Sequence, residues 1–336
     1  MTTERQPSTS SNTTNAYDVV IIGGGAAGLS AAVALGRSRR SVLVIDAGAP
    51  RNAPAEGVHN FLTSEGIAPL ELQRQGRAEA EMYGVAFIDG EATSATRVGD
   101  EFTVSVNGTA AHQTAATPTT VTTTRLLVTT GLTDELPSVP GVRERWGNDV
   151  MHCPYCHGWE ARDQALGVLA SSPRSVHQAL MFRQWSDRIT LFVGDQPEPT
   201  EDEYEILAAR GISVVLGEVS ELRVTDDAIS GMAMTDGSVH SIEGLVVAPR
   251  FVANSRLLAE LGVTVIEHEM GVGSYVETGF GGATSVPGVW AAGNVADLMA
   301  QVVSSAAAGL MAGSAINADL IARDQAEAVA AYRARN

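Results

Sequence analysis

Two cysteines, Cys153 and Cys156, stand between two histidines in the run Met151-His-Cys-Pro-Tyr-Cys-His-Gly-Trp-Glu160. Residues of these types at this spacing can exchange disulfides. A Cys-x-x-Cys turn keeps the sulfurs within reach of one another and allows one to be a nucleophilic thiolate near neutral pH. Half a metal site is the other chemistry open to the pattern. A tetrahedral ion wants four ligands, and ligands on consecutive residues such as His152 and Cys153 seldom converge on one ion, so no metal is expected. His157, as a neutral imidazole, can take a thiol proton near pH 7; capping a helix or bonding to backbone are equally open to it.

A redox pair needs an electron acceptor, and the N-terminal stretch Asp18-Val-Val-Ile-Ile-Gly-Gly-Gly-Ala-Ala-Gly28 offers a place for one. Val19 to Ile22 are a β-branched run the size of a buried parallel strand, and Ser30 to Leu35 have helical composition, so the glycines fall at a strand-to-helix turn. There Gly23 permits the tight bend, Gly25 lets a pyrophosphate approach the backbone, and Gly28 allows helix and strand to pack closely. A second strand, Ser41 to Ile45, ends in Asp46, about twenty residues further on, where a ribose-binding carboxylate belongs. Hydropathy alone could read the stretch as a membrane span; the glycines argue for a nucleotide turn, and no membrane partner is expected.

Composition narrows the partners. The 336-residue chain carries a formal charge of −17, which repels a phosphate backbone, so nucleic acid is excluded as a ligand. All 22 basic residues are arginine, which removes Schiff-base and P-loop chemistry, since both need a lysine amine. Residues 1–15 are rich in Ser, Thr and Asn without an apolar run. They read as a solvated tail rather than a secretory signal, and a cytoplasmic location is expected. Glu101 to Val106, Asn107-Gly108 and Val121 to Thr124 read as a β-ribbon with a Thr/Ala-rich loop. Trp146, Trp185 and Trp290 read as core or interface fillers.

A flavin-type fold interrupted by an inserted domain, with Cys-x-x-Cys-x-Gly at the start of the insert, resembles thioredoxin reductase over nearly the whole chain from Tyr17. Val58-His-Asn-Phe61 is similar to that family's Glu-Asn-Trp/Phe-Pro-Gly region. Thr129-Thr130-Gly131, after the strand Leu126 to Val128, is similar to its Ala-Thr-Gly element, and Ala300-Gln-Val302 to its Arg-Gln-Ala element with the arginine absent. The resemblance implies an α/β chain of two Rossmann-like, three-layer dinucleotide-binding domains. An FAD-binding domain in two parts, 16–136 and 250–336, would be split by an NADPH-type domain, 137–249, carrying the cysteines.

The resemblance also implies FAD as cofactor. Gly23, Gly25, Ala26, Ala27 and Gly28 of the fingerprint would hold it, with Asp46, Ala47, Asn52 and Asn60 beyond them and Thr130 and Gly131 at the domain exit. Near the C-terminus Val286 to Asn294 reads as a turn, a buried strand and a polar end, followed by a long helix from about Gln301. In the family this strand end meets the ribityl chain, and the helix aims its positive end at the isoalloxazine carbonyl edge; Gly293, Asn294, Gln301 and Val302 are the residues so placed. By the same match Cys156 lies beside the flavin, Cys153 exchanges with substrate, and the protein is a homodimer.

Two departures redirect the function. Thioredoxin reductases usually have aspartate after the second cysteine; the Cys-Pro-Tyr-Cys-His-Gly-Trp-Glu form here, together with His59-Asn-Phe-Leu, resembles the dithiol oxidases that close disulfides in small natural products of the gliotoxin and holomycin kind. The family's second glycine fingerprint falls on Ala170-Ser-Ser-Pro-Arg-Ser-Val176, without a glycine, and its His-Arg-Arg on Val193-Gly194-Asp195, followed by Glu198, Glu201, Asp202 and Glu203. Side chains would hold a pyrophosphate off the turn, and carboxylates would repel the 2′-phosphate. No useful NADPH binding is expected. The reading is therefore an FAD-dependent oxidase of a small-molecule dithiol, with dioxygen as acceptor and hydrogen peroxide as product on the strength of the resemblance. The alternatives are a thioredoxin reductase-like disulfide reductase fed by ferredoxin or weakly bound NADPH, and an idle flavin-binding protein that sequesters a thiol compound or regulates a partner.

Overall fold

In the computed structural model residues 16–108, 119–172 and 174–336 are described; the expected tail over 1–15, most of the Thr/Ala-rich loop and Pro173 lie outside them. Strand β1 (Ala16–Ile22) is buried on both faces from Val19 onward, as a central parallel strand must be. It leads into helix α1 (Ala26–Arg37), β2 (Val42–Asp46), α2 (Pro69–Glu81), β3 (Ala86–Val98), β4 (Glu101–Gly108) and β5 (Thr119–Val128). β3, β2, β1 and β5 lie side by side in parallel, and β4 runs antiparallel to both β3 and β5. Asn107-Gly108 is strand rather than turn, since Gly108 still pairs with Gly90. β3 was not legible as a strand because its sequence, Ala-Phe-Ile-Asp-Gly-Glu-Ala-Thr-Ser-Ala-Thr-Arg-Val, does not alternate cleanly.

The chain then leaves this sheet through β6 (Leu132–Glu135) and forms a second doubly wound unit: β7 (Val150–Met151), α3 (Pro154–His157), β8 (Leu166–Leu169), α4 (Ser175–Phe182), β9 (Ile189–Phe192), α5 (Glu201–Ala209) and β10 (Ser213–Val215). An antiparallel meander, β11 (Val219–Thr225), β12 (Ala228–Met234) and β13 (Val239–His240), precedes β14 (Gly244–Val246), which completes a parallel sheet ordered β10-β9-β8-β14-β7. Next, β15 (Arg250–Ala253), α6 (Arg256–Glu260), β16 (Val265–Glu267) and β17 (Gly273–Val276) join β6 in a small sheet ordered β16-β17-β15-β6. β18 (Val289–Ala291) returns to pair in parallel with β5, and α7 (Val302–Arg335) closes the chain. The second unit thus interrupts a sheet that only β18 completes.

Alternate residues of each parallel strand feed different cores, the consequence of a two-residue side-chain period. Val20, Ile22, Leu43, Ile45 and Leu126 pack on one side, while Val19, Ile21, Val42, Val44 and Leu127 pack against α1 and α7 on the other. By length and composition α7 is apolar enough to cross a membrane, yet its Ser305, Gly309, Ala312, Ile316 and Leu320 face is buried in the protein. At Gly309 a side chain would sit 1.9 Å from the Ala27 carbonyl oxygen, so α7 and α1 touch backbone to backbone.

Candidate active site

The cysteines sit on α3, one turn of helix begun by Pro154 with Cys153 as its N-cap. The Cys153 carbonyl accepts hydrogen bonds from the Cys156 and His157 amides at 3.2 and 3.1 Å, which brings the Cys156 thiol to 2.8 Å from the Cys153 sulfur. Cys153 is lowered to about 7, chiefly by the Cys156 thiol donating to it, against the cost of burial, with help from the Cys156 and Tyr155 amides and from Arg51. Cys156 is pushed up by the same partner and by burial. The charge of the reduced pair therefore resides on Cys153.

The sequence did not show what holds this turn. Asn60, at φ 59°, donates its side-chain amide to the Tyr155 carbonyl at 2.7 Å, and its backbone N–H reaches Glu65 at 2.8 Å. His59 lies 2.7 Å from Glu65 and 3.5 Å from Glu160, the residue that ends the cysteine motif. Below the loop, a side chain at Gly158 would be 2.8 Å from the Trp185 ring, and Tyr155 meets that ring edge-on at 5.9 Å. Trp185 is thus the floor of the redox loop rather than a generic filler. Helix α4 stops at Phe182, and Trp185 folds back in a turn onto the Phe182 carbonyl.

His157 is half-buried, its Nδ1 enclosed without a hydrogen-bond partner among the described residues. His152 donates from Nδ1 to the Val247 carbonyl at 3.0 Å. Burial holds both imidazoles below their ordinary 6.5. Just below that pH the unfolded chain takes up protons that the folded chain refuses, so stability rises with pH there. Their contribution is complete above 6.5 and drains away as the pH falls through the window beneath it. The melting temperature is expected to fall between about pH 7 and about pH 5, and to fall less in His152→Asn and His157→Asn variants. An equal fall in all three proteins would exclude the histidines as its cause.

A cavity of about 2190 Å³ joins the redox loop to the glycine turn. It exceeds the roughly 300–1,000 Å³ of an ordinary small-molecule pocket, leaving room for a dinucleotide and a second molecule. Of the expected cofactor residues, Gly23, Gly25, Ala26, Ala27, Asp46, Ala47, Asn52, Thr130, Gly131, Gly293, Asn294, Gln301 and Val302 line it, as do Cys153, Cys156 and His157. Gly28 does not. It packs behind the turn, where a side chain would lie 1.9 Å from the Gly23 carbonyl oxygen. Asn60 is absent from the cavity wall as well; its place is against the redox loop.

The site fits a dinucleotide. Gly23 takes φ 107°, the left-handed region that only glycine adopts without strain, and a side chain at Gly25 would point into open space. Among the described residues no side chain caps the N-terminus of α1, so its first amides are open to a pyrophosphate. Asp46 accepts from the Gly24 amide at 2.9 Å and from Gln73 at 2.7 Å, so this carboxylate braces the glycine turn as well as lining the cavity. Thr129 braces it from the other side, donating to the Gly23 carbonyl at 2.8 Å. Thr130 and Asn254 bond reciprocally, and the Asn294 amide donates to the Asp297 and Ala300 carbonyls, shaping the loop before α7. Gln301, at the start of α7, places its Nε2 4.0 Å from the Cys153 sulfur. Gln73 and Asn254 carried no motif in the sequence.

The turn between β8 and α4 is where a second fingerprint belongs, and it is closed. The Ser171 and Ser172 amides both donate to the Ser175 hydroxyl, at 3.2 and 3.3 Å, and the Arg174 amide to the Ser172 hydroxyl at 3.2 Å. These N–H groups, which would grip a pyrophosphate, are already satisfied. Glu203, counted among the carboxylates facing a 2′-phosphate, forms a capping box with Thr200 at the start of α5.

Two doubly wound units, one with an open amide cradle, sharing a cavity with a Cys-x-x-Cys turn define a dinucleotide-dependent oxidoreductase that works on sulfur. The chain belongs to the pyridine nucleotide-disulphide oxidoreductase family, whose model matches residues 17–309. It is 30% identical over 325 residues to thioredoxin reductase sirT of Leptosphaeria maculans, covering 92% of this chain and 96% of that one. The crystal structure of HlmI superposes with a TM-score of 0.86 at 45% identity, covering 96% of this chain and 98% of the other. The thioredoxin reductase TrxB of Bacillus anthracis superposes with a TM-score of 0.82 at 25% identity, covering 92% and 99%. The thioredoxin reductase-like fold and FAD as cofactor follow from this membership.

Proposed function

We propose that the protein is an FAD-dependent oxidase that closes the disulfide of a small-molecule dithiol, with dioxygen as acceptor. One observation carries the reading: the amides that would bind a nicotinamide coenzyme are consumed by serine hydroxyls, while the cysteine pair opens onto the flavin cavity. Electrons must then enter through sulfur. The likeness of the cysteine motif to the natural-product dithiol oxidases supports the substrate class.

One substrate thiolate attacks the Cys153 sulfur of the oxidised pair, breaks the Cys153–Cys156 bond and leaves Cys156 as thiolate. The second substrate thiolate attacks the mixed disulfide, closes the substrate's own S–S bond and releases Cys153 as thiolate. The substrate has lost two electrons and two protons, and the pair has gained the electrons. A low thiol pKa makes a good leaving group in such exchange, which suits Cys153 at about 7 to the second step. His157, kept neutral by burial, is placed beside Cys156 in the chain to take one of the protons. A bound flavin supplies the two-electron oxidant that returns the pair to its disulfide, with hydrogen peroxide as the product from dioxygen.

The test is an oxygen electrode with a reduced natural-product dithiol. Oxygen consumed, peroxide formed and dithiol lost are expected in equal amounts, faster than autoxidation by the same compound alone. Oxygen uptake at the background rate across a panel of dithiols would remove the proposal.

A further inference from the structure

Arg51 follows β2 and lines the same cavity as Cys153 and Cys156. Its guanidinium is fixed from two sides. Nε and Nη2 each donate to the Asp134 carboxylate at 2.7 Å, a bidentate pair whose carboxylate side chain is only 6% exposed. Its Cζ lies 5.3 Å from the centre of the buried Phe251 ring. Asp134 and Phe251 are themselves paired across β6 and β15, so carboxylate and ring form one rigid platform. The platform reaches the redox loop, because Phe251 meets His152 edge-on at 5.2 Å and His152 immediately precedes Cys153. Nη1 makes no hydrogen bond among the described residues.

We propose that Arg51 is a fixed cation, oriented by Asp134 and Phe251, that stabilises the thiolate set free in the Cys153–Cys156 pair each time its disulfide opens. The inference rests on the reading of that pair as the redox centre. A planar guanidinium suits the task, being always charged, less strongly hydrated than an ammonium and able to hold a bidentate carboxylate while stacked on a ring. The orientation also has the right sign. Arg51 favours the charged form of both thiols, whereas Asp134 acts on His152 and on neither sulfur. The other charged or titratable groups around the loop are Arg174, acting on His152, and His59, His152 and Glu160, acting on His157. None of these acts on the sulfurs as Arg51 does. Asp134 is on this account a positioning residue.

The experiment measures the rate of alkylation of the reduced, flavin-containing protein by iodoacetamide against pH, with the labelled cysteine identified by mass spectrometry. Arg51→Met is expected to move the midpoint for Cys153 upward by less than about one unit, since Arg51 is the least of the influences that set that thiol. Arg51→Lys should restore most of it. Because the single change strands a buried carboxylate, Arg51→Met is also combined with Asp134→Asn, which removes both charges and should show the same shift. An unchanged midpoint in both Met-containing proteins, with flavin retained or lost, overturns the proposal; loss of flavin alone would make Arg51 a cofactor anchor instead. The readout does not depend on dithiol turnover. If the wild-type protein oxidises no dithiol while the midpoint still moves, the proposed function fails and the role of Arg51 stands.

Discussion

Cys156→Ser protein is expected to bind flavin as fully as the wild type and to consume oxygen with a dithiol no faster than the dithiol does unaided. The separation of the two properties follows from the geometry. The cofactor cradle is built from Gly23 to Ala27 and the uncapped start of α1, and the neighbours of Gly23 and Gly24 are Thr129 and Asp46, with open space at Gly25, rather than the cysteine turn. The turn's own scaffold also survives the change, since the Pro154 start, the amide bonds to the Cys153 carbonyl and the Asn60 bond to Tyr155 involve no Cys156 side-chain atom. Only the chemistry is removed. A serine oxygen cannot form the bond that the substrate thiolate must break, so no electron pair leaves the substrate. Cys153→Ser should be equally inactive. Turnover retained by either variant, read as peroxide formed above autoxidation, would mean that thiols reach the flavin without the pair.

The second large effect is a contrast between reductants. In anaerobic stopped-flow mixing, a dithiol is expected to bleach the flavin within the turnover time and NADPH to leave it oxidised. Each missing Arg–phosphate contact is worth about 1.5–3 kcal/mol, so the two arginines replaced by Gly194 and Asp195 remove about 3–6 kcal/mol. That corresponds to roughly two to four powers of ten in affinity. The closed serine turn adds to the loss, because a pyrophosphate would have to displace the Ser175 hydroxyl from the Ser171 and Ser172 amides. Rapid bleaching by NADPH at micromolar concentration would restore the reductase reading, with another surface of the insert as the coenzyme site.

The inserted unit has a structural role apart from any nucleotide. Trp185, from the turn after α4, supports the cysteine loop, and Gln178 on α4 donates to the His152 and Val247 carbonyls at 3.2 Å, tying β7 to β14 just before Cys153. The insert is the mount for the redox turn. On the flavin side, His59 and Asn60 reach across to the same turn, so the pair is held by both units.

What the sequence determined by itself was whatever is encoded over short distances. The glycine turn between a β-branched strand and a helix, the Cys-x-x-Cys turn and the serines in place of the second fingerprint are each contiguous. Their backbone consequences follow from local sterics, whatever surrounds them. Contacts between distant residues had no such signature. Asn60 meets Tyr155 across 95 residues, Arg51 meets Asp134 across 83, and Gln73 meets Asp46 across 27. No spacing rule connects these pairs; only the order in which strands join the sheets brings them together. Where a disulfide could form and where a pyrophosphate could sit were thus settled locally, while the tertiary structure decided which carboxylate and ring hold Arg51 and what holds the cysteine turn still. Sterics along the chain are short-ranged, whereas the field at a buried sulfur is set by whichever charges the fold packs around it.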